Sequence, residues 1–328
     1  IEQAYKGDNT TWKVILTTLV STGIFLANFV MLYFMSPEEL EMTYEMMKSM
    51  PPMLNLILNL APFVVLVILL ILMVVFLHQR SFVSLTTARK KIDFSRIAFA
   101  TGLIIVLSLV MFGIGYYMAP EGIEWNFKPM KFAILVLVSL VLFPFQIGFE
   151  EYLFRGYLMQ QIGILVKNRW FPLILTSVLF GLMHSANPEV AEMGFITMIF
   201  YIGFGLLMGI MTLMDDGIEL ALGFHLGNNL MAALLITSDW SAIQTDAVFK
   251  NTAESASDGV LQELILTVVI TFPIVLFILA KKYKWSNWKE RLTGKVTPPF
   301  VQQEAEHSGL DNSLIEHDYP KSKDNGGK

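Results

Sequence analysis

Residues 131–156 read K-F-A-I-L-V-L-V-S-L-V-L-F-P-F-Q-I-G-F-E-E-Y-L-F-R-G. Beyond Lys131 nothing is charged until Glu150 and Glu151, and Arg155 follows four residues later. About 20 apolar residues at roughly 1.5 Å each cross a hydrocarbon layer of about 30 Å, so the stretch predicts a membrane-spanning helix. Its carboxylates and arginine then sit in or at the edge of the membrane. Ionised groups at that depth are costly unless paired or wetted, which makes them candidates for a functional site.

The rest of the chain is of the same kind. Its 328 residues are 54% hydrophobic and only 16% charged, with a mean hydropathy of +0.57. That is too apolar for an ordinary soluble domain. The expected fold is an all-α polytopic membrane protein, a bundle of about eight transmembrane helices around a buried polar site. Spans are expected near 12–34, 53–77, 97–118, 131–154, 170–186, 194–214, 217–237 and 260–280. Asp215 and Asp216 alone separate the sixth and seventh, which predicts a tight antiparallel hairpin.

Lysine and arginine collect on alternate connections. Arg80, Arg89, Lys90, Lys91 and Arg96 follow the second span, Lys167 and Arg169 follow the fourth, and Lys281, Lys282 and Lys284 follow the last. The positive-inside rule then places both termini in the cytoplasm, with the chain in a plasma or inner membrane. The basic residues read as topology signals, so no nucleic-acid partner is expected. Membrane lipid is the obligatory environment. Cysteine is absent, which removes disulfides, thiolate nucleophiles and cysteine-ligated zinc.

Three regions follow from these patterns. Residues 1–95 form an N-terminal two-helix membrane segment whose outer connector, 36–52, has a Ser-Pro helix start and acidic residues in its first turn. That predicts a short outer helix with Leu40, Tyr44 and Met47 on one face. Residues 96–282 form the membrane core that carries the site. Residues 283–328 turn polar and predict a cytoplasmic tail, mostly disordered. The outer loop 239–259 is polar and long for a hairpin.

The polar residues inside the core fall at helical spacing. Glu151 and Arg155, four apart, share a face and can pair, whereas Glu150 points about 100° away. Glu150 is therefore the carboxylate left to act as a general base or metal ligand. Phe180 and His184 repeat the interval in the fifth span, and so do His225 and Asn229 in the seventh. Two histidines, a carboxylate and an amide on three spans can deprotonate a water, stabilise an oxyanion or bind a divalent ion.

Glu150-Glu151-x-x-x-Arg155, Phe180-x-x-x-His184 and His225-x-x-x-Asn229 together resemble the three-motif signature of the CPBP family of intramembrane proteases. That family includes CAAX prenyl endopeptidases and bacteriocin-processing or immunity proteins. The resemblance covers roughly residues 95–280 and shows no departure within the motifs. It implies a helical membrane peptidase that hydrolyses a peptide bond near the cytoplasmic membrane face. In this implied mechanism Glu150 activates water, His184 and His225 act as ligands or proton partners, and Asn229 holds the oxyanion. Glu151, Arg155 and Phe180 support them. The metal question stays open between a divalent ion such as zinc on Glu150, His184 and His225, and a metal-free glutamate and histidine mechanism. The implied partner is a peptide or protein substrate with a membrane-proximal cleavage site.

Other intramembrane protease chemistries lack their motifs. H-E-x-x-H is missing, since Ser185 follows His184 and Leu226 follows His225. Serines such as Ser139 and Ser177 have no G-x-S-x context, and Asp215 and Asp216 sit in a turn rather than in spans. Two non-hydrolytic readings remain: a membrane scaffold or immunity subunit within a larger membrane-protein complex, and a transporter, for which no inverted repeat is visible.

A single site also sets a geometric condition. If the fourth span ended at 154, Glu150 would lie at the cytoplasmic face while His184 would be roughly 21 Å deep. The fourth helix must therefore tilt or kink at Pro144 and run on to about 160.

Overall fold

Helices occupy all eight expected spans of the computed structural model, which describes residues 1–252 and 264–298. In chain order the helices are α1 (Thr11–Phe34), α2 (Pro37–Ser49), α3 (Pro52–Leu72), α4 (Phe82–Thr86), α5 (Phe94–Met118), α6 (Pro129–Glu151) and α7 (Met159–Val166). They continue with α8 (Trp170–Met183), α9 (Pro188–Met193), α10 (Met198–Asp215), α11 (Glu219–Leu234), α12 (Phe272–Tyr283) and α13 (Trp288–Thr293). The chain is an integral membrane protein: Pro52–Leu77, Phe94–Met118, Pro129–Val166, Phe195–Asp215 and Leu264–Tyr283 are each long and apolar enough to span. Of the other expected spans, α8 and α11 have 14 and 16 residues. At about 1.5 Å per residue they fall short of a full crossing and end inside the bundle.

The fourth helix settles the depth condition. Pro144 lies inside α6 without ending it. A π-helical segment, Tyr152–Leu158, then joins α6 to α7, so the rod runs unbroken to Val166. About 24 Å of helix separate Glu150 from Val166, and about 21 Å separate Trp170 from His184, so the two side chains can share a level. Wide turns of this kind recur at functional sites, because the extra residue re-aims the side chains that follow.

The motif helices pack through small residues. α11 lies along α5 and α6, α10 along α8, and α3 along α6. At Gly223 an added Cβ would come within 2.1 Å of the Ile97 carbonyl oxygen, and at Gly227 within 2.8 Å of that of Thr101. This G-x-x-x-G pair lets the backbones of α11 and α5 touch, as close membrane packing requires. Thr101 Oγ1 reinforces the seam by donating to the Gly223 carbonyl at 2.9 Å.

The two ends of the bundle are closed by unlike devices. At the end away from the basic connections β1 (Ile123–Trp125), β2 (Ile236–Ser238) and β3 (Phe249–Asn251) form a small sheet in the order β1-β3-β2. β3 runs antiparallel to β1 and parallel to β2. Three-residue strands carry too little alternation to be read from sequence, so part of the expected outer loop is sheet. Residues 253–263 of that loop lie outside the described residues.

At the basic end, Arg89 Nη2 meets Asp215 Oδ2 at 2.6 Å and Arg89 Nη1 meets Glu219 Oε2 at 3.3 Å. Arg96 Nη1 pairs with the other oxygen of Asp215, and Trp285 Nε1 donates to that oxygen from 3.4 Å. The expected hairpin is present, turning at Asp216 in the left-handed conformation.

The connector 37–49 is helical, as its start signal predicts. Leu40 is half-buried, whereas the side chains of Tyr44 and Met47 lie outside the described ones. The start of the expected polar tail is folded. α13 follows Asn287, Arg291 Nη1 pairs with Asp216 at 2.5 Å, and Val296 is buried with its N–H on the Lys167 carbonyl. Residues 299–328 lie outside the described residues.

Candidate functional site

The three motifs meet where α6 passes α8, α10 and α11. Glu150, Glu151, Arg155 and His225 are all buried, with Glu151 and Arg155 at 0% exposure. Four titratable side chains at such depth need mutual pairing. Arg155 Nη1 donates to Glu151 Oε1 at 3.0 Å, its Nη2 donates to the Gly205 carbonyl at 2.9 Å, and its guanidinium lies 4.6 Å over the Phe180 ring. This is the pair that the i, i+4 spacing predicts.

His225 sits between the two glutamates. Its Nδ1 is 2.8 Å from Glu151 Oε1, the oxygen that also receives Arg155, and its Nε2 is 3.7 Å from Glu150 Oε2. A carboxylate held by an arginine accepts, so Nδ1–H is the donor and Nε2 faces Glu150. The spacing argument gave Glu151 a structural task only. Its contact with His225 adds the orientation of the imidazole, and that contact crosses 74 residues of sequence, beyond what a helical repeat within one span can show.

Glu150 is not free on both oxygens. Gln146 Nε2 donates to its Oε1, while Gln146 Oε1 accepts from Asn229 Nδ2 at 2.9 Å. Gln146 thus links the first and third motifs. Asn229 is held from its other side, since Asn228 Nδ2 donates to its Oδ1 at 3.2 Å. Glu150 Oε2 has no hydrogen-bond partner among the described residues. Gln146 was legible: it is a polar residue one turn before Glu150 in an otherwise apolar run.

His184 completes the set from the end of α8. Its Nδ1 is 2.9 Å from the Phe180 carbonyl. A carbonyl only accepts, so Nδ1 carries the proton and Nε2 presents a lone pair. The ring packs between Phe180, with centroids 4.7 Å apart, and Tyr201, 4.6 Å apart at an interplanar angle of 19°. Phe180 also lies 6.0 Å from the His225 ring, edge to face, and so separates the two histidines. His184 and Asn229 are half-buried, whereas Glu150 and His225 are buried. The site therefore grades from a closed carboxylate end to a more open imidazole and amide end.

As a metal centre the arrangement is incomplete. Glu150 Oε2 and His225 Nε2 are near neighbours, but no three histidine or carboxylate groups among the described residues are placed to hold an ion. Glu150, His184 and His225, one of the two options that the sequence leaves open, are not such a group. Its donors do fit a polarised water: one unpaired carboxylate oxygen beside an oriented imidazole.

Residues 129–231 match the profile of a family described as type II CAAX prenyl endopeptidase Rce1-like. Among curated proteins, the uncharacterized protein YyaK of Bacillus subtilis (strain 168) is 29% identical over 239 residues, which cover 71% of this chain and 80% of that protein. No solved structure matches. The profile spans Glu150, Glu151, Arg155, Phe180, His184, His225 and Asn229, the same residues that the fold gathers into one polar site. This part of the chain is similar to the family described as type II CAAX prenyl endopeptidase Rce1-like.

Proposed function

We propose that the protein is an intramembrane endopeptidase in which Glu150 activates the hydrolytic water. One observation carries this reading: Glu150 Oε2 is buried, has no hydrogen-bond partner among the described residues and faces His225 Nε2 at 3.7 Å. Leaving a buried acceptor unmade costs about 1–3 kcal/mol. Of the buried atoms left unpaired, this carboxylate oxygen is the one that faces an oriented imidazole, where it can receive a proton.

In the proposed sequence, water gives a proton to Glu150 Oε2 and the resulting hydroxide attacks the carbonyl carbon of the scissile peptide. The negative charge moves to the carbonyl oxygen. Asn229 has one amide hydrogen committed to Gln146 and a second to offer that oxygen. The C–N bond then breaks, and the proton held by Glu150 passes to the departing amine. His225, turned by Glu151, supports Glu150, and His184 Nε2 serves the more open end of the cleft as a proton partner.

The substrate is a peptide whose cleavable bond lies at the membrane, close to the side that carries the termini. Glu150 is seven residues before Tyr157, whose hydroxyl meets His78 Nε2 at 3.1 Å just past the second span. His225 is six residues after Glu219, which takes part in the Arg89 network. Both counts support a site about 10 Å inward from that surface, and the positive-inside rule favours a cytoplasmic one. The test compares membrane peptides from cells that express the wild-type chain or Glu150→Gln. Products present with the first and missing with the second support the reading; the same peptide profile from both sinks it.

A further inference from the structure

His184 is the one site residue placed at a helix end. α8 stops at Met183, and the chain leaves through Asn187 into α9 before returning as α10. A histidine there has no following helical turn to restrain its ring. The motif supplies one wall, Phe180. The other comes from outside all three motifs: Tyr201, nearly parallel to the imidazole at 19° with centroids 4.6 Å apart.

Tyr201 is itself fixed at its far edge. Asn187 Nδ2 donates to the Tyr201 hydroxyl at 3.1 Å, and that hydroxyl donates to Glu189 Oε1 at 3.4 Å. Glu189 lies in the first turn of α9, and Asn187 immediately precedes that helix. The outer connection after α8 therefore folds back and grips the ring that covers His184. Offset or parallel ring pairs add a modest attraction beyond the area they bury. That is enough to hold a side chain in one orientation, though not to fold a bundle.

We propose that Tyr201, steadied by Asn187 and Glu189, is the positioning residue that holds the His184 ring with Nδ1 on the Phe180 carbonyl and Nε2 left for the reaction. This rests on the protease reading. It assigns the 187–201 segment to the site, although none of its residues belongs to a motif. The hydroxyl steadies the ring, and the ring face does the positioning, so phenylalanine can substitute for it.

The test needs a readout that does not depend on the substrate. Diethyl pyrocarbonate acylates an accessible imidazole nitrogen, and mass spectrometry reports its rate separately at His184, His225 and His78. In the purified full-length protein, Tyr201→Phe should leave the His184 rate within twofold of wild type. Tyr201→Leu should raise it at least threefold and leave the His225 and His78 rates unchanged, which shows that the bundle is intact. Cleavage of membrane peptides should fall at least tenfold in Tyr201→Leu and recover in Tyr201→Phe. An unchanged His184 rate in Tyr201→Leu overturns the proposal. If that variant does not fold, Tyr201→Met decides, since it keeps much of the volume with a flexible side chain and no ring face: a rise in the His184 rate supports the clamp and no rise refutes it. Retained cleavage in Glu150→Gln defeats the protease reading alone, because the labelling still reports whether Tyr201 holds His184.

Discussion

Two charged clusters lie in this bundle, and they differ in what they leave unpaired. At the basic end, Asp215 uses both oxygens, one on Arg89 and one on Arg96 and Trp285, while Glu219 receives Arg89 on one oxygen and the Asp93 N–H on the other. In the core, Glu150 Oε2, Glu151 Oε2 and Arg155 Nε have no hydrogen-bond partner among the described residues. Both clusters are rich in carboxylates with cations nearby. The saturated cluster holds helices together, and the unsaturated one leaves the Glu150 oxygen that the proposed chemistry needs. The distinction rests on individual atoms, because the two clusters have similar charge composition.

The largest effect expected from this contrast is catalytic. Glu150→Gln keeps the volume and the Gln146 contact but removes the proton acceptor, and loss of a general base lowers rates by about a thousandfold. The thermal midpoint should stay near that of wild type, since a cluster with a spare acceptor does not depend on it for stability. A large drop in the midpoint would mean that Glu150 is structural and would erase the contrast.

Glu151→Gln should act in the opposite way. It strips the charge that compensates Arg155 at 0% exposure, and breaking a buried pair from one side costs about 3–5 kcal/mol. Denaturant or thermal unfolding in detergent measures this. Surviving folded protein should also lose activity, because His225 Nδ1 loses its charged acceptor. Asp215→Asn comes next. Its partners Arg89 and Arg96 retain 26% and 19% side-chain exposure, so solvent offsets part of the loss and about 2 kcal/mol is expected. Cleavage by the folded fraction should be unaffected.

Gln146→Leu is the finer probe of the core cluster. It frees Glu150 Oε1 and Asn229 Nδ2 together without altering a formal charge. Misplacing a base and an oxyanion donor by fractions of an ångström should lower turnover about tenfold, with substrate affinity nearly unchanged. A change in affinity alone would move Gln146 from positioning to substrate contact.

The same contrast explains what the sequence could reveal. Glu151 with Arg155, and the helix that carries them, followed from one period of one helix. Eight helical stretches followed from hydropathy, and Gln146 was open to the same reading. The contacts between elements were not legible. His225 reaches Glu151 across 74 residues, Arg89 reaches Asp215 across 126, and Tyr201 covers His184 through a fold in the 187–201 connection. Nothing in local periodicity encodes which turn of one helix faces which turn of another. The fourth helix was expected to run on to about 160, and it continues to Val166 because Glu151 and Gly205 satisfy Arg155 inside the bundle.

The smallest effect should come from the sheet end of the bundle, where Lys128 and Lys131 approach Asp246 at 3.9 and 3.5 Å. On paper this is a third charged cluster, with two cations on one carboxylate. Both lysines are more than half exposed, at 56% and 59%, so water solvates them nearly as well as Asp246 does. Pairs of this kind contribute about 0.2–1 kcal/mol at most and weaken as salt is added. Asp246→Asn should therefore shift unfolding by less than about 0.5 kcal/mol and leave cleavage intact. The shift should shrink further between low and high salt. A larger, salt-insensitive loss would show that Asp246 works through the backbone of the outer cap, which Asn126 Nδ2 also fastens at the Ala247 carbonyl from 3.1 Å, and would place the cap with the saturated cluster as a second structural clasp.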